Sequence, residues 1–260
     1  MAAVFGPPRE WIGRRALVGA LVRRALIARY RGTSFGFLWT FLHPAMLFVA
    51  YALVFGVYVR VELERYPAFL IAGLLPWTWF AQTLAIGTTS ILGDAPFVRQ
   101  GAFPPSVSPL VASLATFANF LLSLPVLLVA LAVLGVWPTP WLLLAPVVAL
   151  VQFVLVLGLS LALSAICVRY RDVIQLVQAA LPILFLLTPV AYPATLVPER
   201  WRWLVDLNPV AHLVQAWQQV LLGGPLEPGR LAVAALAALA CCGLGVVVNE
   251  ALRDRIPEEL

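Results

Sequence analysis

Six aromatic residues recur along the first apolar stretch of the sequence at intervals of 4, 7, 3, 4 and 3 residues. In an α-helix, which turns about 100° per residue, these positions fall within an arc of about 100° and form a row of rings along one side. Ring faces are apolar platforms that suit sliding contact with sugars, but the same spacing equally fits a stripe packed against neighbouring helices or lipid. The six residues are Phe37, Phe41, Phe48, Tyr51, Phe55 and Tyr58.

Residues suited to covalent catalysis or metal binding are scarce in the apolar stretches. His43 and His212 have neither a carboxylate nor a second histidine at ligand spacing, so we expect no metal site. An enzyme would need a convergent acid–base set, and a proton-coupled carrier would place charged residues inside the bilayer. We therefore predict no catalytic residue. Four polar residues are expected to form hydrogen bonds between helices: Asn119, Gln152, Gln175 and Gln178.

A short link between two apolar stretches, residues 93–105, is bounded by prolines and combines aromatic residues with one arginine. Exposed phenylalanines beside a charge suit a protrusion that docks into a groove of a partner protein. The alternative is that these rings rest at the membrane interface. The residues predicted to make this contact are Asp94, Phe97, Arg99 and Phe103.

The elements that must position these residues are apolar helices. The 260 residues are 62% hydrophobic and 11% charged, with a mean hydropathy of +0.96, whereas a soluble domain is about 45–50% apolar and about 25% charged. The excess of apolar residues requires lipid, and each span takes about 20 residues. We predict an all-α membrane protein with six transmembrane helices, at about 35–59, 67–91, 107–135, 141–167, 173–191 and 231–250.

The residues before the first span form a basic segment of their own. Apolar residues between positions 17 and 26 share one helical face, opposite Arg23 and Arg24. We interpret residues 1–34 as a cytoplasmic amphipathic segment at the membrane surface and residues 35–260 as a single transmembrane domain; a solvated basic tail is the alternative to the first. The link between the last two spans is too polar to cross a membrane and predicts short helices at the outer interface.

All 17 basic residues are arginines, and the net charge is +5. Because a P-loop requires a lysine that reaches the phosphates, this chain contains none, and ATP must be bound and hydrolysed by another polypeptide. We expect no cofactor in this chain. The arginines cluster beside apolar spans, which favours membrane orientation over nucleic-acid binding. With both termini cytoplasmic, twelve arginines lie on the cytoplasmic side and five on the outer side, which favours that orientation.

Six short motifs follow one another over nearly the whole chain. The first, R-Y-R-G-T-S-F-G-F-L-W, leads into the first span, and the second reads G-L-L-P-W-T-W-F. The motifs lie at 29–39, 73–80, 103–109, 170–172, 187–193 and 207–209. In this order they resemble the permease subunits of type-2 ABC exporters, specifically the polysaccharide group that exports O-antigen, capsule and teichoic acid.

The resemblance implies a homodimer in the bacterial inner membrane that works with two separate ATP-binding cassette subunits and moves a lipid-linked polysaccharide. Segment 93–103 would correspond to the coupling helix that the ATPase subunits grip, and the row of aromatic rings would line the polymer channel. Short helices at 193–222 would gate the outer mouth. The gate residues that the resemblance implies are Tyr192, Trp201, Trp203 and Asn208.

Two departures from the family pattern leave the gate and the substrate open. Pro96 interrupts a region where relatives usually keep a polar helix start, and Gln215 and Gln218 follow the last motif where relatives often have an arginine. One alternative is an exporter of drugs or lipids from the same family. The others are a secondary transporter or channel, and an integral-membrane transferase, which the scarcity of clustered acids and histidines disfavours.

Overall fold

The described part of the chain consists of helices joined by turns, without β-strands. The computed structural model describes residues 6–32, 34–60, 63 and 65–260, and the side chains of residues 6–9 and of Phe37 lie outside the described part. The helices are α1 (Gly6–Gly13), α2 (Arg15–Tyr30), α3 (Trp39–Tyr51), α4 (Tyr66–Gly93), α5 (Ala95–Arg99), α6 (Val107–Val133), α7 (Ala145–Arg169), α8 (Val173–Leu187), α9 (Arg202–Asp206), α10 (Pro209–Leu222), α11 (Pro228–Leu252) and α12 (Ile256–Glu259). Shorter elements are the π-helix Ala52–Tyr58, which continues α3, and the 3-10 turns Gly36–Leu38, Pro140–Leu144, Ala194–Leu196 and Glu199–Trp201.

Among the described residues, five helical stretches are long and apolar enough to cross a membrane: Trp39–Tyr58, Tyr66–Gly93, Val107–Val133, Pro140–Arg169 and Pro228–Leu252. The prediction of an all-α membrane protein is confirmed. The predicted fifth span, 173–191, is shorter than expected, because α8 has 15 residues and is followed by a buried turn at 188–191. A helix of that length covers about 22 Å, less than the hydrocarbon core of about 30 Å.

Prolines begin several of the long helices. Pro67, Pro146 and Pro228 occupy the first turns of α4, α7 and α11. The first N–H groups of a helix have no partner within the helix, so a proline there sacrifices no hydrogen bond and already has a helical φ. Proline therefore begins three of the long helices, in each of which no side chain caps the N-terminus.

Helix α4 lies at the centre of the bundle, where it contacts α3, α6, α7, α8 and α10. Its side chains Leu70, Leu74 and Phe80 are buried in the main apolar core. In contrast, α3 and α8 lie at the periphery, where only Thr40 and Phe185 are buried and the other described side chains are exposed or half-buried. The chain therefore has one well-packed side and one side on which apolar helices lack a covering element within the described residues.

Helices α7 and α11 approach each other backbone to backbone. A Cβ atom on Gly158 would lie 2.5 Å from the backbone nitrogen of Cys242, and one on Gly245 would collide with the carbonyl of Gly158. Small residues permit such close contact between membrane helices, where packing replaces the hydrophobic effect as the driving force. These two glycines therefore allow the backbones of α7 and α11 to lie in direct contact.

The predicted amphipathic helix near the N-terminus is confirmed as α2. Val18 is buried in a second apolar cluster, and α2 packs along α6. Arg23 and Arg24 are exposed on the opposite side, as the periodicity predicted. Its packing shows that the apolar face is covered, at least in part, by the chain's own helices.

Candidate functional site

The row of aromatic rings brings Tyr51 to the wall of a cavity between α3, α4 and α8. Tyr51 stacks on Phe185 with ring centroids 4.7 Å apart, and Phe185 meets Trp77 edge-on at 5.4 Å. The cavity has a volume of about 110 Å³ and is lined by His43, Leu47, Tyr51, Leu74, Trp77, Thr78, Ala81, Gln82 and Phe185. It therefore combines ring faces with a few polar groups, the chemistry suited to a sugar.

The continuous row predicted from α-helical spacing is wrong at its C-terminal end. Residues 52–58 form a π-helix, which winds less tightly than an α-helix, so positions spaced for one face of an α-helix no longer align. Tyr58 is accordingly 71% exposed and stands apart from the cavity. Phe48 and Phe55 are half-buried against the main core, Phe41 lines a separate groove, and Phe37 has its side chain outside the described residues.

Two members of this aromatic cluster, Trp77 and Phe185, were missed by sequence reasoning. A signal existed for both, because Trp77 lies in the second family-like motif and Phe185 is the one aromatic residue of α8. Periodicity along a single helix cannot show which rings of other helices meet it. The cluster is assembled by packing between three helices.

The link predicted to dock a partner, residues 93–105, contains the short helix α5. The two phenylalanines of this link differ in exposure. Phe97 is 39% exposed, with the guanidinium of Arg24 5.5 Å from its ring centroid. Phe103 is 5% exposed and packs beside Phe97, at 6.3 Å between centroids, within the cluster that contains Val98. The expectation that both rings are exposed is therefore wrong for Phe103, because Phe103 joins the apolar layer under α2.

The two charged residues predicted in this link have different environments. The backbone carbonyl of Asp94 accepts hydrogen bonds from the amides of Phe97 and Val98, which begins α5, and its side chain is half-buried. Arg99 is exposed at the end of α5. Phe97 and Arg99 thus form the accessible surface of this link, while Asp94 and Phe103 connect it to the body of the protein.

Helices from both ends of the chain, α1 and α12, lie against this link. Trp11 donates its ring N–H to Ser106 Oγ at 3.2 Å, and Arg14 donates to the carbonyl of Ala102 at 3.2 Å. Arg253, just after α11, forms an ion pair with Glu10 at 2.7 Å. The hydrogen bond that Arg253 donates to Glu10 raises the pKa of Arg253, so the guanidinium stays charged.

The link between α8 and α11, residues 188–227, is called the outer link after its predicted side of the membrane, and it contains the residues expected to form a gate. Asn208 accepts a hydrogen bond from the backbone amide of Val210 at 3.0 Å and donates one to Thr188 Oγ1 at 3.0 Å, so it caps α10 and ties it to the end of α8. The Tyr192 hydroxyl donates to the carbonyl of Leu186 at 2.6 Å, and burial raises the pKa of Tyr192. Asn208 and Tyr192 therefore fix the backbone at the end of α8 and at the start of α10.

The two tryptophans of this link have a different setting. Trp201 and Trp203 are 47% and 55% exposed, and the guanidinium of Arg200 lies 5.8 Å from the Trp201 ring centroid. Exposed tryptophans beside arginines are typical of the boundary between bilayer and water. The predicted short helices are confirmed as α9, α10 and two 3-10 turns.

Helix α10 is more deeply buried than a surface helix, which the sequence did not indicate. Gln218 donates to the carbonyls of Pro189 and Val190 at 3.3 and 3.4 Å. Gln215 accepts a hydrogen bond from Arg230. Both glutamines, identified above as departures from the family pattern, therefore join α10 to its neighbours.

The prediction of hydrogen bonds between helices is confirmed for two of the four polar residues. Asn119 accepts a hydrogen bond from Tyr30 of α2, and Gln152 donates to the carbonyl of Pro76 at 2.9 Å. Gln175 and Gln178 are exposed on α8 and form no hydrogen bond with another described residue, so for them it stays a prediction. Within the described chain, no group of three His, Cys, Asp or Glu side chains converges to hold a metal ion.

Comparison with known proteins connects this geometry to a family. Residues 16–222 match the family model described as ABC-2 type transporter. The chain is 38% identical over 256 residues to the O-antigen export system permease protein RfbA of Myxococcus xanthus, with 97% of this chain and 98% of the relative aligned. It is 28% identical over 245 residues to a protein of the same name from Klebsiella pneumoniae, covering 94% of this chain and 95% of the relative. The match from α2 to the end of α10 includes the aromatic cavity, the α5 link and most of the outer link, and the chain therefore belongs to the ABC-2 type transporter family.

Proposed function

We propose that this chain is the membrane-spanning permease subunit of an ATP-driven exporter that moves lipid-linked polysaccharide of the O-antigen type across the inner membrane. The observation that carries the proposal is the similarity, over nearly the full length of both chains, to a relative named as an O-antigen export permease. The aromatic cavity at Tyr51 supports it, because rings with a few polar groups suit passing sugars.

Two copies of the chain form the conduit in this proposal. Gln175 and Gln178 are exposed on α8, among exposed apolar residues such as Leu176 and Ile183. An amide facing lipid has no hydrogen-bond partner, which is unfavourable in hydrocarbon. A second copy, or a hydrated channel between the copies, supplies partners to these amides.

The ATP is hydrolysed by separate partner subunits, because the sequence contains no lysine and hence no P-loop. The partners dock on the exposed part of the α5 link, where Phe97 and Arg99 offer one ring and one charge. Two partners, one for each copy, match the symmetry of a dimer. Both termini and the α5 link then lie in the cytoplasm, which agrees with the excess of arginines on that side.

The proposal is tested by reconstituting the chain with its partner ATPase in vesicles and measuring ATP-dependent passage of a lipid-linked glycan. We expect passage that requires both ATP and the ATPase subunit. Passage without the ATPase, or passage that follows a proton gradient, contradicts the proposal and favours a secondary transporter. Export of drugs or simple lipids, without export of glycan, favours a different branch of the same family.

A further inference from the structure

Two further cavities, next to the one at Tyr51, meet at Thr40 near the start of α3. One is polar, has a volume of about 430 Å³ and lies where α2 crosses α3, α4 and α6. The other is a groove of about 190 Å³ between α3, α4 and α6 whose walls are almost entirely apolar. Thr40 lines both of them. A polar chamber and an apolar groove therefore adjoin on the two sides of the buried Thr40.

The polar chamber carries positive charge without a compensating negative charge. Arg29 reaches across it and donates to the side-chain oxygen of Gln82 at 2.7 Å, a neutral partner. None of the described carboxylates lies within ion-pair distance of Arg29, and none lines the chamber. A guanidinium presents five N–H groups in a planar fork, so most of its donors remain available to an anion such as phosphate.

The wall opposite Arg29 is held by a hydrogen-bond network. Asn119 of α6 accepts from the hydroxyl of Tyr30, which also bonds to Thr40 at 2.6 Å. The side chain of Trp39, 39% exposed, lines the same chamber. Fixed polar groups and a tryptophan ring therefore surround the charge of Arg29.

The apolar groove extends from this chamber along α6 toward the C-terminal end of that helix. Along α6 it runs from Ser123 to Ala130, about 10 Å at the rise of an α-helix. Val126 lines the groove and is 46% exposed, so the groove opens sideways on the surface of the helix bundle. A single narrow groove suits one hydrocarbon chain, because two chains would require a second channel beside it.

We propose that these two cavities form one binding site for a single-chain lipid carrying a phosphate or diphosphate, with the phosphate at Arg29 and the chain between α3 and α6. The inference rests on the proposed function, since a glycan joined to a lipid through phosphate presents these two chemical parts. The polar chamber shares His43 and Gln82 with the cavity at Tyr51. Sugars attached to a phosphate at Arg29 would therefore meet the aromatic cluster next.

The test measures binding of a polyprenyl diphosphate to the permease–ATPase complex in nanodiscs of phosphatidylcholine. We expect Arg29→Gln to weaken binding by about tenfold or more, because it removes charge-assisted hydrogen bonds, and Arg29→Lys to retain part of the affinity. Arg23→Gln is the matched control, since it removes the same charge from the exposed side of the same helix. Thermal unfolding of each variant establishes that it is folded.

A second pair of variants tests the groove. Ala130→Phe fills the groove and should abolish binding, whereas Val129→Phe adds the same side chain at the neighbouring position, which is 65% exposed and does not line the groove. Wild-type affinity in both Arg29→Gln and Ala130→Phe overturns the proposal. Equal binding of the polyprenol without phosphate, or equal competition by two-chain phosphatidylglycerol, also overturns it.

The same preparations separate this inference from the proposed function. ATP-driven glycan export by the wild type, together with unchanged lipid binding in Arg29→Gln, refutes the site and leaves the function standing. Absence of glycan export by the wild type with an active ATPase refutes the function, whatever the binding measurements show.

Discussion

The ring of Tyr51 lies between Phe55 of its own helix and Phe185 of α8, at centroid distances of 6.4 and 4.7 Å. This position gives the ring two aromatic neighbours and a place on the cavity wall, while its hydroxyl group forms no hydrogen bond with another described residue. The size and flatness of the side chain therefore matter more than its polarity.

We expect Tyr51→Ala to reduce ATP-driven glycan export several-fold, up to about tenfold, because an aromatic contact contributes about 0.5–1.5 kcal/mol. Tyr51→Phe keeps the ring and should keep export near the wild-type rate. Tyr58→Ala removes an exposed ring from the same helical stretch and serves as the control. Similar losses in the Tyr51→Ala and Tyr58→Ala variants would refute the assignment of Tyr51 to the pathway.

The neighbouring rings Phe97 and Phe103 allow docking to be separated from folding. We expect Phe97→Ala to reduce co-purification of the ATPase subunit and to leave the melting temperature of the isolated permease nearly unchanged, because its ring is exposed. Phe103→Ala should lower the melting temperature, since loss of a buried phenylalanine costs about 3–5 kcal/mol. The two variants are compared by affinity purification and by thermal unfolding in detergent.

An unchanged yield of ATPase with Phe97→Ala would contradict the assignment of this face as the docking surface. Arg99→Gln provides an independent check, because it removes the charge at the end of the same short helix.

Among the larger elements, the contact between α7 and α11 depends on the absence of side chains. We expect Gly158→Ala to destabilise the protein by a few kcal/mol, because the added Cβ would lie 2.5 Å from the backbone of Cys242 and the helices must separate. Gly243→Ala is the control, because a Cβ at that position of α11 meets no atom within 4 Å. It should be neutral or slightly stabilising, since alanine favours a helix interior.

Thermal unfolding in one detergent compares the two glycine variants directly. Equal melting temperatures would show that the backbone contact between α7 and α11 does not limit stability.

The elements were predictable from the sequence to the extent that their signals are local. Hydropathy located the spans, and the spacing from Leu17 to Leu26 located α2, because both depend only on residues a few positions apart. The π-helix after Tyr51 and the burial of Phe103 depend on neighbours distant in sequence. The same holds for Phe185, which completes the aromatic cavity from a helix more than a hundred residues away.

In the whole molecule, the well-packed side around α4 makes contacts within the chain, whereas the uncovered side formed by α3 and α8 is available for contacts with other molecules. Buried α4 holds the fold together, while exposed α3 and α8 face either lipid or a second copy. The α5 link and the outer link lie at opposite ends of the spans, as expected for one cytoplasmic and one external surface.

This orientation predicts the labelling of single cysteines introduced after the three native cysteines are replaced. We expect Glu199→Cys to react with a membrane-impermeant maleimide added to spheroplasts, since Glu199 is exposed in the outer link. Gln100→Cys, exposed beside α5, should react only after the membrane is opened. The reverse pattern would show that the arginine-rich end faces outward and would remove the basis for ATPase docking at Phe97.

The last helix, α12, contacts α5, and Ile256 lies in the same apolar cluster as Val98 and Phe103. Glu259 is tied to Arg169 by an ion pair at 3.0 Å. A domain fused after Leu260 would therefore begin its linker beside the surface to which we assign the ATPase. Even a short flexible tether would hold such a domain there at millimolar effective concentration. Genetic fusion of the ATPase subunit to the C-terminal end of the permease should thus preserve assembly of the permease–ATPase complex. A bulky tag at the same position should obstruct that assembly.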